Sequence, residues 1–165
     1  MRRARSGAAD FRVRGVSVPI AAPLSASIAA MYQDGLLAHY RAPHNRRELK
    51  GATGRATRKN PVCGDEITVM ALVDDAVLSD VSFTGRGCSI ATASASMMTD
   101  AVCGLPAAQS VAMVELVERT MAGAADISAI PEGLAPLLGV VPFPGRHGCA
   151  LMPWQALREA LAGQG

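Results

Sequence analysis

The chain has 165 residues, half of them hydrophobic and 18% charged, which suits one packed domain with a tail and excludes wholesale disorder. Its formal net charge of +2 conceals a basic first third: residues 1–59 hold 12 of the 16 Lys and Arg against Asp10, Asp34 and Glu48. No apolar run is long enough for a membrane-spanning helix, and four cysteines are too sparse for a disulfide scaffold, so reduced thiols and a cytoplasmic location are expected.

Residues 1–26 are rich in Arg, Ala, Ser and Pro without sustained periodicity, and read from composition alone as a disordered N-terminal extension outside the fold. Pro19 and Pro23 interrupt their apolar stretch, against a cleaved secretory signal. A single domain is expected over 27–165. Its first helix should start near Ser27 and end by Arg41, with Ile28, Met31, Tyr32, Leu36 and Tyr40 near helical spacing and Pro43 preventing further propagation. The polar, basic segment 42–61 reads as a loop with a short edge strand around 54–59. Two strands, 66–73 and 77–84, flank Asp74-Asp75-Ala76 and predict an antiparallel hairpin. Helices follow over 89–103, closed by Gly104, and over 106–121 with Pro106 at the first helical position. Residues 122–145 read as a loop with one short helix at 133–138, and a last helix over 153–161 presents Trp154, Leu157 and Leu161 on one face. The fold class is α+β: a small antiparallel three-stranded sheet, or a hairpin, with helices packed on one side.

Three cysteines stand where a chain can present a ligand. Cys63 lies in a loop before a strand, and Cys88 and Cys149 each lie just before a helix; Gly64, Gly87 and Gly148 adjoin them. Helix N-termini favour the thiolate, the form that binds metal or attacks sulfur. Asp65 follows Cys63 by two residues, so three thiolates and a carboxylate could make a tetrahedral set that Zn²⁺ accepts and iron could also use. The spacing is not that of a zinc finger, and by itself leaves a metal site open.

Cys63-Gly64-Asp65, the run GRGCSIATASASMMTDAV at 85–102 and FPGRHGCALMPWQAL at 143–157 resemble the SufU/IscU iron–sulfur assembly family, as does MYQDGLLAHYRAPHNRREL at 31–49. The similarity spans about residues 27–161. The long connection around 122–140, Gly148 before Cys149, and Arg146 three residues before Cys149 resemble the SufU branch; His147 sits one place off the position where the IscU-like scaffold branch has its histidine. The resemblance implies zinc held by Cys63, Asp65, Cys88 and Cys149, and sulfur transfer from a SufS-type cysteine desulfurase to a downstream iron–sulfur scaffold. It also implies Cys63 as sulfur acceptor, with a histidine of the partner replacing it on zinc. Asp65, the weakest-field ligand, is the natural swing ligand, and Arg146 could pair with it in the open state. The alternatives are a scaffold on which a [2Fe–2S] cluster is built, and a zinc-stabilised interaction domain.

Simpler expectations cover the rest. Cys103 reads as a buried, inert thiol, His39 and His44 as capping or surface residues, and Met97, Met98, Met113 and Met121 as core fillers. Glu115, Glu118 and Arg119 read as a solvated helix face. The basic stretch 41–59 lacks the interleaved aromatics of nucleic-acid binding and reads either as a solvated loop or as a docking edge for an acidic face of the desulfurase.

Overall fold

A computed structural model describes residues 10–13, 16–19 and 26–163. Its centre is an antiparallel sheet of three strands in the order β3 (Gly54–Asn60), β4 (Asp65–Asp74) and β5 (Val77–Arg86), preceded by β1 (Asp10–Val13) and β2 (Val16–Pro19). The hairpin expected from sequence is present as β4–β5, and the edge strand pairs with β4, which makes the sheet three-stranded. Asp75 and Ala76 take φ of 48° and 63°, so both central residues of the β4–β5 turn are left-handed, the backbone twist that a two-residue hairpin loop needs. Ile67, Val69, Ala71, Val81 and Phe83 point into the core from the central and outer strands.

The helices are α1 (Ala26–Arg41), α2 (Ser89–Val102), α3 (Ala107–Met121) and α4 (His147–Ala162). α4 packs on β3 and β4, α2 packs on β5 and on α4, and α1 lies against α2. The methionines act as expected: Met97, Met98 and Met121 are buried, and Met113 packs against the core's edge. Along α1, Tyr32 is buried and Ile28 and Leu36 partly so, whereas Met31 and Tyr40 are exposed, because the buried stripe follows i, i+4 steps. Pro106 is the N-cap of α3, one position earlier than expected.

The larger difference is at α4, which starts at His147, six residues before the predicted start. Proline favours the first helical turn, which points to Pro153, yet Cys149, Ala150, Met152 and Pro153 continue the buried stripe of Trp154 and Leu157 backwards. Apolar periodicity outweighs the proline signal. Within the stretch read as an extension, β1 and β2 pair as a short antiparallel hairpin, Asp10 opposite Pro19 and Val13 opposite Val16. The other residues before 26 lie outside those described.

Residues 127–146 form three short 3-10 turns, Ile127–Ala129, Glu132–Val140 and Pro144–Arg146, where one short helix is expected. Leu134, Leu137, Leu138 and Val140 are buried, and the segment packs on α1. Gly35 is explained by that contact: a Cβ there would stand 2.5 Å from Cγ of Pro136.

Four of the seven Lys and Arg in the basic stretch pair with carboxylates in the fold. Arg47 pairs with Asp80 at 2.7 Å, Arg58 with Glu159 at 2.6 Å, Lys59 with Glu66 at 3.5 Å, and Arg55 with Glu48. Glu118, expected on a solvated face, pairs instead with Arg158 of α4. Exposed pairs of this kind contribute at most about 1 kcal/mol each. Their consequence is electrostatic: the stretch presents far less free positive charge than its sequence suggests.

In an open helix position Gly→Ala stabilises by about 1 kcal/mol. For Gly35→Ala the clash with Pro136 should reverse that sign and lower stability by about 1–2 kcal/mol, read as a reduced urea midpoint.

Candidate metal centre

Three segments converge at one end of the sheet. The β3–β4 connection is a four-residue loop between paired Asn60 and Asp65. Asn60 shapes it: its side-chain oxygen accepts from the Val62 amide at 3.0 Å, and its carbonyl accepts from the Gly64 amide at 2.8 Å. Gly64 has φ of +73°, a left-handed conformation that a Cβ would strain. Cys63 is therefore held at the tip of a tight hairpin, where it is exposed.

Asp65 opens β4 and points inward, only 7% exposed. One carboxylate oxygen, Oδ1, accepts from the backbone amide of Cys88 at 3.1 Å. The other, Oδ2, is buried with no hydrogen-bond partner. Cys88 is the N-cap of α2 with extended backbone, and its sulfur accepts from the Ala91 amide at 3.4 Å. Cys149 is buried in the first turn of α4, not in a preceding loop, and the Asn60 side-chain amide lies 4.0 Å from its sulfur. Burial, reinforced by the neighbouring Cys88 and Cys63 sulfurs, pushes the Cys149 thiol up to about 12, so a metal binding there must displace its proton.

The ligand atoms of Cys63, Asp65 and Cys149 all lie within 4.8 Å of one another, and Cys88 adjoins Cys149. A tetrahedral zinc bound by sulfur at about 2.3 Å and oxygen at about 2.1 Å needs donors roughly 3.5–3.8 Å apart, a small contraction from this spread. The donor set and the orphaned Asp65 oxygen both fit such an ion. These residues could hold it without rearrangement of the elements that carry them.

What places the two helical cysteines is a buried chain of hydrogen bonds that the sequence did not announce. The Trp154 indole N–H donates to Ser94 Oγ at 3.0 Å, and the Ser94 hydroxyl donates to the carbonyl of Ala150 at 2.6 Å. Both side chains are fully buried. Ser94 sits among the small residues Ala91, Ala93, Ala95 and Ser96 of α2, and its hydroxyl ties α2 to α4. Asn60 likewise escaped notice, although Asn before Pro is a recognisable turn signal.

Other sequence-singled residues lie elsewhere. Arg146 is exposed at the N-cap of α4 and is not among the partners of Asp65. The ring of His147 donates from Nε2 to the Val141 carbonyl at 2.8 Å, which ties it to the preceding 3-10 segment. Cys103 is exposed, not buried; partial burial and then Asp80 raise its thiol above the ordinary range. His39 and His44 do not cap α1 but bond to α2, through Ser96 and Asp100. Burial, then the neighbouring His44, lower His39, with Asp100 acting in the opposite sense. Of the three glycines beside the cysteines, only Gly64 has a positive φ; at Gly87 a Cβ would crowd Ala91 and Ile67 at 3.1 and 3.2 Å.

Residues 31–162 match the family model described as the NifU-like N terminal domain. The chain belongs to that family. It is a SufU/IscU-type iron–sulfur cluster assembly protein. The scaffold protein IscU of Streptococcus pyogenes serotype M1 is 36% identical over 132 residues, covering 79% of this chain and 82% of that one. The zinc-dependent sulfurtransferase SufU of Bacillus subtilis is 34% identical over 139 residues, covering 84% and 94%. Among solved structures, a proposed iron–sulfur cluster assembly scaffold for the SUF system from Fervidobacterium islandicum AW-1 superposes with a TM-score of 0.73 at 28% identity, covering 83% of this chain and 98% of that one. The α+β fold is thus the family's. No helix among the described residues is long and apolar enough to cross a membrane.

Ser94→Ala would leave the buried Trp154 N–H and the Ala150 carbonyl without their shared partner. A loss of about 1–3 kcal/mol in chemical denaturation is expected, against little change for Ser94→Thr if the added methyl is accommodated.

Proposed function

We propose that this chain is a zinc-dependent sulfurtransferase that accepts persulfide sulfur from a SufS-type cysteine desulfurase in the cytoplasm and passes it to a downstream iron–sulfur scaffold. The observation that carries the reading is the contrast among the three sulfurs. Cys149 is buried and Cys88 half-buried at helix starts, while Cys63 stands exposed at the tip of a hairpin. An incoming persulfide on another protein can reach Cys63 first. Bound zinc, held by Cys63, Asp65, Cys88 and Cys149, would keep the thiols deprotonated and protect them from oxidation.

The transfer itself is thiol exchange. The Cys63 thiolate attacks the outer sulfur of the donor persulfide, a new S–S bond forms on Cys63, and the old S–S bond breaks with its electron pair leaving on the donor's cysteine sulfur. No net oxidation occurs. Asp65 Oδ1 accepts from the Cys88 amide, which leaves Oδ2 as the oxygen that would engage a bound metal. In this reading Arg146, exposed three residues before Cys149, pairs with that carboxylate once it is released. The partly neutralised basic stretch gives docking less long-range steering, so contact near Cys63 carries more of the recognition.

The scaffold reading rests on the similarity to IscU proteins and uses the same four ligands for a [2Fe–2S] cluster. It is disfavoured by Gly148 standing where the IscU-like scaffold branch has its histidine, with His147 one place off and donating from Nε2 to the Val141 carbonyl. The deciding measurement is alanine production by a SufS-type desulfurase with and without the zinc-loaded protein. Stimulation should be at least several-fold and should vanish in Cys63→Ser, while Arg146→Ala should reduce it with zinc content unchanged. Absence of stimulation, together with a stable, transferable [2Fe–2S] cluster after anaerobic reconstitution, would establish the scaffold instead.

A further inference from the structure

Among the described residues, one other group of side chains brings metal-ligating atoms as close together as the cysteine centre does: His39 at the end of α1, His44 in the loop after it, and Asp100 near the end of α2, within 4.8 Å of one another. Asp100 stands twelve residues along α2 from Cys88, about 18 Å at 1.5 Å per residue, so this cluster lies at the opposite end of the helix from the thiols. We propose that His39, His44 and Asp100 form a second, open binding site for a borderline divalent transition-metal ion.

The surroundings orient the donors as outer-shell partners of a metal site do. Nδ1 of His39 lies 2.7 Å from Oγ of the buried Ser96, which leaves Nε2 as the ring nitrogen for a ligand. The same Ser96 oxygen accepts from the backbone amide of His44 at 2.7 Å, fixing where the second imidazole starts. Asn45 donates at 3.0 Å to Thr99 and at 3.4 Å to Oδ1 of Asp100, so the carboxylate is steadied on the oxygen that does not face His44. One buried hydroxyl and one amide thus hold three ligands that come from two helices and the loop between α1 and β3.

Nδ1 of His44 and Oδ2 of Asp100 are 2.5 Å apart, within hydrogen-bond reach across a single proton position. A cation entering between them takes that proton's place, the proton leaves to solvent, and the gap opens to about 3.3 Å for bonds of 2.0–2.1 Å. The side chains of His44 and Asp100 are 55% and 45% exposed, which gives the ion a path and leaves room for water to complete its coordination. Two imidazole nitrogens and one carboxylate oxygen select zinc-like first-row ions over Mg²⁺ and Ca²⁺, which require oxygen shells, and over Cu(I), which prefers sulfur. An open three-donor site should exchange its metal faster than one closed by three thiolates.

The test titrates metal-free, reduced protein with Co²⁺ under anaerobic conditions. Wild type should take up two equivalents: one giving intense sulfur-to-cobalt absorption in the near ultraviolet, the other giving only weak visible bands and shifting the ring-proton signals of His39 and His44. Asp100→Asn keeps the shape of the side chain and should weaken the second equivalent at least tenfold, and His44→Ala should abolish it, with the sulfur-to-cobalt band intact in both as a check on folding. A wild type that binds one equivalent only, or a second equivalent that both variants retain, would overturn the proposal. Loss of the sulfur-to-cobalt band in wild type would count against the thiolate centre alone, since the two sites share no residue.

Discussion

The geometry at the cysteine end of this fold depends on a hydroxyl in the core. Ser94 accepts from the Trp154 indole and donates to the Ala150 carbonyl, and those two bonds set how far α4 is advanced along α2. Ala150 adjoins Cys149, and Ser94 lies six residues after Cys88, so fixing one contact between two stiff helices fixes the separation of two thiols. Alanines at 91, 93 and 95 let the helix approach closely enough for the bonds to form. The third thiol is placed by a different device, the register of β3 on β4, which puts Asn60 opposite Asp65 and leaves a loop too short to wander.

Much of this was legible in the sequence because it is written in period-two and period-3.6 patterns with conventional stops. The β4–β5 hairpin, the edge strand, α2 and its Gly104 terminus, and α1 are found where those patterns put them. The ligand segments were legible through their order and flanks: Cys63-Gly64-Asp65, Gly87-Cys88 and Gly148-Cys149. What was not legible depends on which residues meet across the fold. A glycine inside a helix ordinarily weakens it, and only the fold shows why Gly35 is needed, because Pro136 lies on it. Ser94 reads as one small residue among several. The start of α4 was misplaced because proline and glycine signals at 144–153 outvoted an apolar stripe that in fact reaches back to Cys149.

The charge imbalance changes meaning for the same reason. Counting along the chain separates a basic third from an acidic remainder, but folding brings the two together: Arg47 to Asp80, Arg58 to Glu159, Lys59 to Glu66. Residues far apart in sequence cancel at distances of a few ångströms, and a field that looked available to a partner is partly spent within the molecule. Electrostatic steering depends on net fields beyond a Debye length, about 8 Å at physiological salt, so pairs this tight contribute little to it.

Asp65 is where stability and chemistry meet. An inward carboxylate at the mouth of an apolar core is expensive unless its oxygens are bonded, and leaving one buried polar atom unmatched costs about 1–3 kcal/mol, more when it is charged. Here one oxygen is matched by the Cys88 amide and the other by nothing in the chain. The fold therefore carries an unmet demand for positive charge at the point where Cys63 and Cys149 also converge. A divalent cation bound there would meet it, and the high-lying thiol of Cys149 would have to give up its proton in exchange. Supplying that cation from an arginine instead would require Asp65 to turn outward, and Arg146 waits outside with no claim on the carboxylate in this conformation.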